Sequence, residues 1–253
     1  MTTLNEPVAS PAEPGETMSV WGRAVAVFAR PARAWAGLER KPRWWFPLLV
    51  SVLVSVVGTL LVYQRAIVPS QLAQMERQVE AGQIPAEATA GIEEQLASPL
   101  SMGFGLVAVV VTVPFMTCLF ALLPWITAGF VLGRRFRYKD AFAVTAWAGL
   151  VAIPGQLLTF LLAWINESMT GVHVGFGALL PAEDPPSKLV AGLGLFLDQG
   201  IGPLALWYVV VLALGAAAVT GGDRRRVITA VGAGWLVVMA VVAVVAGLLA
   251  PGA

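Results

Sequence analysis

The residues that could carry out chemistry in this chain are few, and most of them lack the partners that catalysis needs. The 253 residues include one cysteine, Cys118, and one histidine, His173. A single cysteine excludes an intramolecular disulfide and a CxxC metal or redox site, and a single histidine excludes an HExxH metalloprotease centre. His173 lies between glycines, which is typical of a solvated loop residue. The sequence therefore predicts a non-enzymatic protein with no catalytic residue, no metal site and no cofactor.

Three consecutive residues, Pro154, Gly155 and Gln156, lie in an uncharged segment where a solute could bind. Proline interrupts helical hydrogen bonding, and interrupted helices near the bilayer midplane form the substrate sites of many transporters. The alternative is that Gln156 makes a hydrogen bond to a neighbouring helix. Both interpretations remain open from the sequence, and we favour helix packing.

Gly129 and Gly133 have the GxxxG spacing, which lets two membrane helices approach each other closely. The pair lies near the end of a long apolar run. Because this spacing is common by chance in Gly-rich apolar sequence, we expect the two glycines to contact another helix of the same chain rather than a second copy of the protein.

The elements that must position these residues are transmembrane helices. Apolar residues make up 58% of the chain and charged residues 12%, about half the charged share of a soluble protein. A helix needs about 20 apolar residues to cross a bilayer, and five runs are long enough, the longest being too short to cross twice. The predicted fold class is all-α, a polytopic integral membrane protein of five helices. The predicted spans are about 44–63, 102–132, 141–164, 201–220 and 227–250. Residues 165–200 are expected to form a loop, in which the apolar stretch 189–197 is too short to span and is expected to lie at the membrane interface.

The basic residues predict the orientation of the helices. Thirteen Lys and Arg side chains lie before the first predicted span or in the second and fourth loops, and three lie elsewhere. Because short cytoplasmic loops are enriched in Lys and Arg, the N-terminus is predicted to be cytoplasmic and the C-terminus outside. The net charge of +1 gives no indication of a nucleic-acid partner. The basic residues of the two predicted cytoplasmic loops are Arg134, Arg135, Arg137, Lys139, Arg224, Arg225 and Arg226.

Before the first span, the sequence predicts a disordered cytoplasmic tail over residues 1–18, followed by an amphipathic helix. From position 19 onward, apolar residues recur at spacings of four and three with arginines between them. Pro31 is expected to open a second short helix. This pattern predicts an anchor at the membrane surface, and a helix that binds a protein partner is the alternative. The predicted anchor residues are Trp21, Phe28 and Trp35 on the apolar side and Arg23, Arg30 and Arg33 on the polar side.

Two segments of the chain resemble the Yip1-domain family, specifically its prokaryotic branch. Residues 136–154 (FRYKDAFAVTAWAGLVAIP) are similar to the family's short cytoplasmic loop and the Ala-rich span that follows it. The resemblance implies a membrane domain over residues 19–250. Eukaryotic members act in vesicle trafficking and contact small GTPases through an Asp-Leu-Tyr-Gly-Pro motif; this chain lacks the motif, so small-GTPase binding is not expected. The family's aromatic and proline opening is matched by Trp21, Phe28, Pro31, Trp35, Leu38, Pro42, Trp45 and Pro47.

Two functions are compatible with these features. The first is a non-enzymatic membrane protein that organises lipids or partner proteins, and the second is a small-solute or ion permease. The expected partners are the lipid bilayer and other membrane proteins or copies of the same chain, and no nucleic acid. Arginine outnumbers lysine thirteen to three among many Ala, Gly and Val residues, which indicates a GC-rich bacterial genome and predicts the bacterial cytoplasmic (inner) membrane.

Overall fold

A computed structural model describes residues 18–85, 91–92, 94–96, 98–181 and 186–250. The tail predicted over residues 1–18 lies outside the described residues except for Met18, and so does the C-terminal end, residues 251–253. The described residues contain helices and turns and no β-strand. The helices are α1 (Val20–Ala29), α2 (Trp45–Val62), α3 (Val68–Glu80), α4 (Pro99–Ile126), α5 (Tyr138–Gly149), α6 (Ile153–Asn166), α7 (Lys188–Leu195), α8 (Pro203–Thr220) and α9 (Arg224–Leu249).

Five helical segments are long and apolar enough to cross a membrane, which confirms the predicted five-span fold. Two of them join two helices through a short irregular turn. One π-helical turn, Tyr63–Ile67, connects α2 to α3, and a 3₁₀ turn, Leu150–Ala152, connects α5 to α6. The long run predicted as a single span is a single segment. The five segments are Trp45–Glu80, Pro99–Val131, Tyr138–Asn166, Pro203–Thr220 and Arg224–Leu249.

The core lies mainly where α5 meets α8. Helix α5 is rich in alanine, and its alanines from 141 to 148 are all buried. Small side chains let neighbouring helices approach, which is how helices pack in a bilayer that offers no hydrophobic driving force between them. Trp147, Val144 and Leu212 are fully buried in this core. Large apolar side chains remain exposed around the outside of the five segments, as expected for a surface that faces lipid.

Helix α7 corrects the prediction that residues 165–200 form a loop. It begins at Lys188 and is capped by Ser187, whose hydroxyl accepts a hydrogen bond from the Val190 N–H. The loop prediction rested on glycines and prolines between 171 and 186, which precede α7. The glycines within α7 permit a close helix contact, since a Cβ atom on Gly192 would lie 2.7 Å from the carbonyl oxygen of Ala243 in α9 and 3.4 Å from the Cα of Gly247.

Candidate functional site

The segment before the first span, residues 19–43, is called the lead-in here. Its helix α1 begins at Ser19, whose Oγ accepts from the Gly22 N–H at 3.0 Å, and ends at Ala29. A residue that precedes proline is disfavoured in the helical conformation, so α1 stops before Pro31. Residues 31–40 form successive turns rather than the second helix predicted at Pro31. The apolar stripe predicted to continue to Trp35 is therefore interrupted.

Arg23 is buried within the lead-in, with 4% of its surface exposed. Its guanidinium donates to the carbonyl oxygens of Ala34, at 2.6 Å, and Ala36, at 3.0 Å. The turns after Pro31 leave these carbonyls without helical partners, so Arg23 supplies the donors that a helix would have supplied. Burial lowers the pKa of Arg23, and the nearby charge of Arg43 lowers it further.

Trp35 lies in the core, 3% exposed, rather than at the membrane surface. A Cβ atom on Gly215 of α8 would come within 2.9 Å of its ring. The structure thus places Arg23 and Trp35 in the interior, which corrects that part of the predicted anchor. The other four predicted anchor residues, Trp21, Phe28, Arg30 and Arg33, are exposed.

The exposed side of α1 is apolar. Trp21 is 70% exposed, Val25 66% and Phe28 43%, and their spacing of four and three puts them on one face of the helix. Trp21 also packs edge-on against Phe46 near the start of α2, with 5.1 Å between ring centroids. The lead-in therefore presents an aromatic surface beside the first span while its opposite face is fixed in the protein.

The two basic loops lie at the same end of the bundle as the lead-in. A Cβ atom on Gly222 would be 4.0 Å from the Arg134 Nε, so the loops approach each other. Arg137 differs from the rest, since its Nε donates to Asp140 at 2.7 Å and this bond raises its pKa. All seven predicted loop residues are exposed: Arg134, Arg135, Arg137, Lys139, Arg224, Arg225 and Arg226.

Gly129 and Gly133 do not make the close helix contact that their spacing predicted. A Cβ atom on Gly129 would meet nothing nearer than the Arg134 carbonyl oxygen at 3.9 Å, and one on Gly133 would meet nothing within 4 Å. Gly129 lies in a π-helical turn, and Gly133 has a φ of +61°. This left-handed conformation is typical of a helix end, so the two glycines do not share one helical face.

Gln156 donates from Nε2 to the Ser55 Oγ of α2 at 2.7 Å, and Ser55 donates in turn to the Ser51 carbonyl oxygen at 2.8 Å. Pro154 lies in the first turn of α6, where proline is accommodated. Gly155 lies against α8, because a Cβ atom there would be 2.6 Å from the Leu204 Cδ1. Gly155 and Gln156 therefore take part in contacts between helices, whereas Pro154 is exposed.

At the opposite end of the bundle, His173 lies in a loop and is paired with Asp198, while its side chain remains 35% exposed. The His173 Nδ1 lies 2.6 Å from the Asp198 Oδ2, and the Gly177 N–H donates to the other carboxylate oxygen at 2.8 Å. The backbone closes around this pair. A Cβ atom on Gly177 would lie 2.6 Å from the carboxylate, and one on Gly194 would lie 3.3 Å from the imidazole.

A cavity of about 780 Å³ lies beside this pair, and it is called the distal cavity here. It runs between α3, the end of α6, the segment after α6 and the start of α7. A smaller hollow of about 450 Å³ shares four of its lining residues. The polar residues that line the distal cavity are Ser70, Arg77, Asn166, Glu167, Ser168, Thr170 and His173.

A model of the Yip1 domain matches residues 25–246 of the chain. The chain belongs to the Yip1-domain family. No curated protein matches it, and no solved structure does. The Yip1 domain here begins inside α1 and ends inside α9, so it includes four membrane segments, most of the fifth and the residues of the distal cavity.

The distal pair of this Yip1 domain could not be found from sequence spacing, because 25 residues separate His173 from Asp198. One signal was present. Glycines at 171, 175 and 177 surround the histidine, and glycine repeated in this way is typical of a close backbone approach as well as of a loop. The sequence alone does not say which side chain the backbone approaches.

Proposed function

We propose that this Yip1-domain protein is a non-enzymatic membrane protein that organises lipids or partner proteins at the cytoplasmic face of the bacterial inner membrane. The observation that carries the proposal is the lead-in. Arg23 and Trp35 fix it to the bundle, while Trp21, Val25 and Phe28 remain exposed on its other side. Such a surface keeps one orientation relative to the bilayer, unlike a free amphipathic peptide.

Lipid is the partner that best matches the exposed side of the lead-in. Aromatic side chains favour the membrane interface, and arginines are attracted to the anionic headgroups of the cytoplasmic leaflet. Arg30 and Arg33 are exposed directly after the aromatic face of α1. Trp44 and Trp45, at the start of the first span, are also exposed. These residues support seating of α1 at headgroup depth.

The orientation, with the N-terminus in the cytoplasm and the C-terminus outside, rests on the thirteen-to-three division of basic residues. The exposed cations of both loops support it, because they form a basic end together with the lead-in. The non-enzymatic role rests on the single histidine and single cysteine of the chain. Small-GTPase binding is not part of the proposal, since the motif for it is missing.

The permease alternative depended on Gln156. Its amide donates to Ser55 across two packed helices, and neither the distal cavity nor the smaller hollow beside it is lined by Gln156. Both observations support helix packing at this position. We therefore rank the permease second.

The lipid part of the proposal is tested by excising the full-length protein from its membrane in copolymer nanodiscs and measuring the accompanying lipids. We expect anionic lipid to be enriched relative to the bulk membrane, and the enrichment to fall when Arg30 and Arg33 are both changed to Gln. Lys188→Gln is the matched control, because it removes a cation at the opposite end. Identical lipid composition around the wild type and the double variant would contradict this part.

The partner part is tested by crosslinking in native membranes. We expect a membrane protein that crosslinks to the wild type to be lost when Trp21 and Phe28 are changed to Ala, since these side chains form the exposed face of α1. Leu100→Ala, an exposed apolar change on α4, is the control. Crosslinks that are the same in all three proteins would exclude the lead-in as the partner surface.

A further inference from the structure

The distal cavity lies at the depth of lipid headgroups. Ser70, one of its lining residues, follows Trp45 by 25 residues along the continuous first segment. At 1.5 Å per residue this rise is about 37 Å, compared with about 30 Å for the hydrocarbon core of a bilayer. With Trp45 at one interface, Ser70 reaches the other. A ligand in this cavity therefore lies at the level of the lipid headgroups and of the parts of the acyl chains closest to them.

The lining of the distal cavity matches an amphiphile. One part of the wall is apolar and includes Leu162, Val172, Leu180 and Val190. The other part carries hydroxyl groups, an amide and side chains of both charges, Arg77 and Glu167. Its volume of about 780 Å³ is within the range of small-molecule sites. A ligand that satisfies this lining has an apolar portion and a head with one positive and one negative group.

His173 adds a directional contact. Its Nδ1 is committed to Asp198, at 2.6 Å. A carboxylate partner fixes the proton of a neutral imidazole on Nδ1, which leaves Nε2 as a hydrogen-bond acceptor. The close approach of Gly177 and Gly194 to the pair holds the ring in place. In the neutral imidazole with its proton on Nδ1, Nε2 is an acceptor, and an acceptor suits a primary ammonium group.

Glu167 and Arg77 complete the match to a zwitterion. One oxygen of Glu167 accepts from the Arg65 Nη2 at 2.7 Å, and a carboxylate has a second oxygen and further lone pairs to offer. Glu167 and the His173 Nε2 suit an ammonium, whereas Arg77 and the hydroxyls of Ser70 and Thr170 suit a phosphate. Phosphatidylcholine does not match this lining, because its quaternary ammonium has no N–H to donate. Phosphatidylglycerol does not match it either, because its headgroup has no cation.

From this arrangement we propose that the distal cavity binds the headgroup of phosphatidylethanolamine, with its acyl chains along the apolar wall. This site is separate from the lead-in and does not depend on the function proposed for it. The orientation proposed above makes the lipid one of the outer leaflet, but the headgroup chemistry is independent of orientation.

The experiment measures lipid retained by the full-length protein in native mass spectrometry, with phosphatidylethanolamine, phosphatidylcholine and phosphatidylglycerol of the same acyl chains. We expect phosphatidylethanolamine to bind about tenfold more tightly than the other two, the effect of about one charge-assisted hydrogen bond. Ala191→Phe fills the cavity and should abolish this preference. Leu193→Phe, on the same helix but outside the lining, should retain it.

Three outcomes would overturn the proposal. Equal retention of the three lipids would exclude headgroup recognition. An unchanged preference in Ala191→Phe, with the melting temperature of the wild type, would place the lipid elsewhere. Competition by soluble glycerophosphoethanolamine at the same concentration as the lipid would assign the cavity to a soluble ligand. His173→Leu gives a second check, since it should lower retention of phosphatidylethanolamine toward that of phosphatidylcholine.

Discussion

The guanidinium of Arg23 lies over the indole ring of Trp147, 5.6 Å from its centroid. The same indole donates from Nε1 to the Pro42 carbonyl oxygen at 3.1 Å. Arg23 is near the start of the lead-in and Pro42 near its end, so one side chain of α5 fixes both ends of the segment. This contact turns an amphipathic sequence into part of the folded bundle.

Arg23→Met should destabilise the protein by about 2–4 kcal/mol, because the carbonyls of Ala34 and Ala36 lose their donors in a buried site. Thermal unfolding of the detergent-solubilised protein, followed by tryptophan fluorescence, measures the effect. Arg30→Met is the control, since Arg30 is exposed. If both variants melt at the wild-type temperature, Arg23 does not hold the lead-in.

Gly215→Ala should destabilise the bundle by about 1–3 kcal/mol through overpacking. The added Cβ would lie 2.5 Å from the Val144 Cγ1 and 2.9 Å from the Trp35 ring, so neighbouring side chains must shift. Gly129→Ala is the matched control, because that Cβ meets nothing nearer than 3.9 Å and alanine favours a helix. Chemical denaturation in mixed micelles compares the two; a larger loss for Gly129→Ala would contradict the packing described here.

Gln156→Leu should lower stability by about 0.6 kcal/mol, a typical contribution of a hydrogen bond between membrane helices. Ser55→Ala and the double variant complete a cycle that isolates the contact between Gln156 and Ser55. Liposome flux of small solutes should be at background for the wild type and the Leu variant alike. Robust flux in the wild type that disappears in Gln156→Leu would reverse the ranking of the two functions.

The C-terminus should lie outside the cytoplasm. Five membrane segments place the two termini on opposite sides, and the basic end is expected to be cytoplasmic. Alkaline phosphatase fused after Ala253 should be active, and a fluorescent protein that folds only in the cytoplasm should be dark at the same position. A dark phosphatase with a bright fluorescent fusion would invert the orientation.

The five spans could be predicted because a bilayer restricts its helices more than water does. Every spanning segment must be long, apolar and internally hydrogen-bonded, and a run such as 102–132 displays all of this locally. The predicted ends differ from the structure by a few residues, except for the first span, which continues beyond Tyr63 into α3. That extension is polar. The near-helical spacing of its apolar residues predicts a helix before Gly82, but hydropathy does not show that the helix continues the span.

The lead-in and the distal pair could not be predicted in full, because both depend on contacts between distant residues. Periodicity assigns Arg23 to a polar face, and only the turns after Pro31 bring two free carbonyls to its guanidinium. His173 is a loop residue, as predicted, but its contact with Asp198 cannot be derived from the sequence. For Gly129 and Gly133 the spacing was misleading. Gly129 lies in a π-helical turn, and the helix ends before Gly133, whose φ is positive.

The contact of Trp35 with Gly215 also sets an order of events during synthesis. Trp35 leaves the ribosome first, but the α8 residue it packs against is made 180 residues later. At 5–20 residues per second this interval is about 10 to 35 s. During that time α8 has not been made, so the nascent lead-in cannot pack fully against its own bundle. Its tryptophans therefore contact the membrane surface and cellular chaperones first.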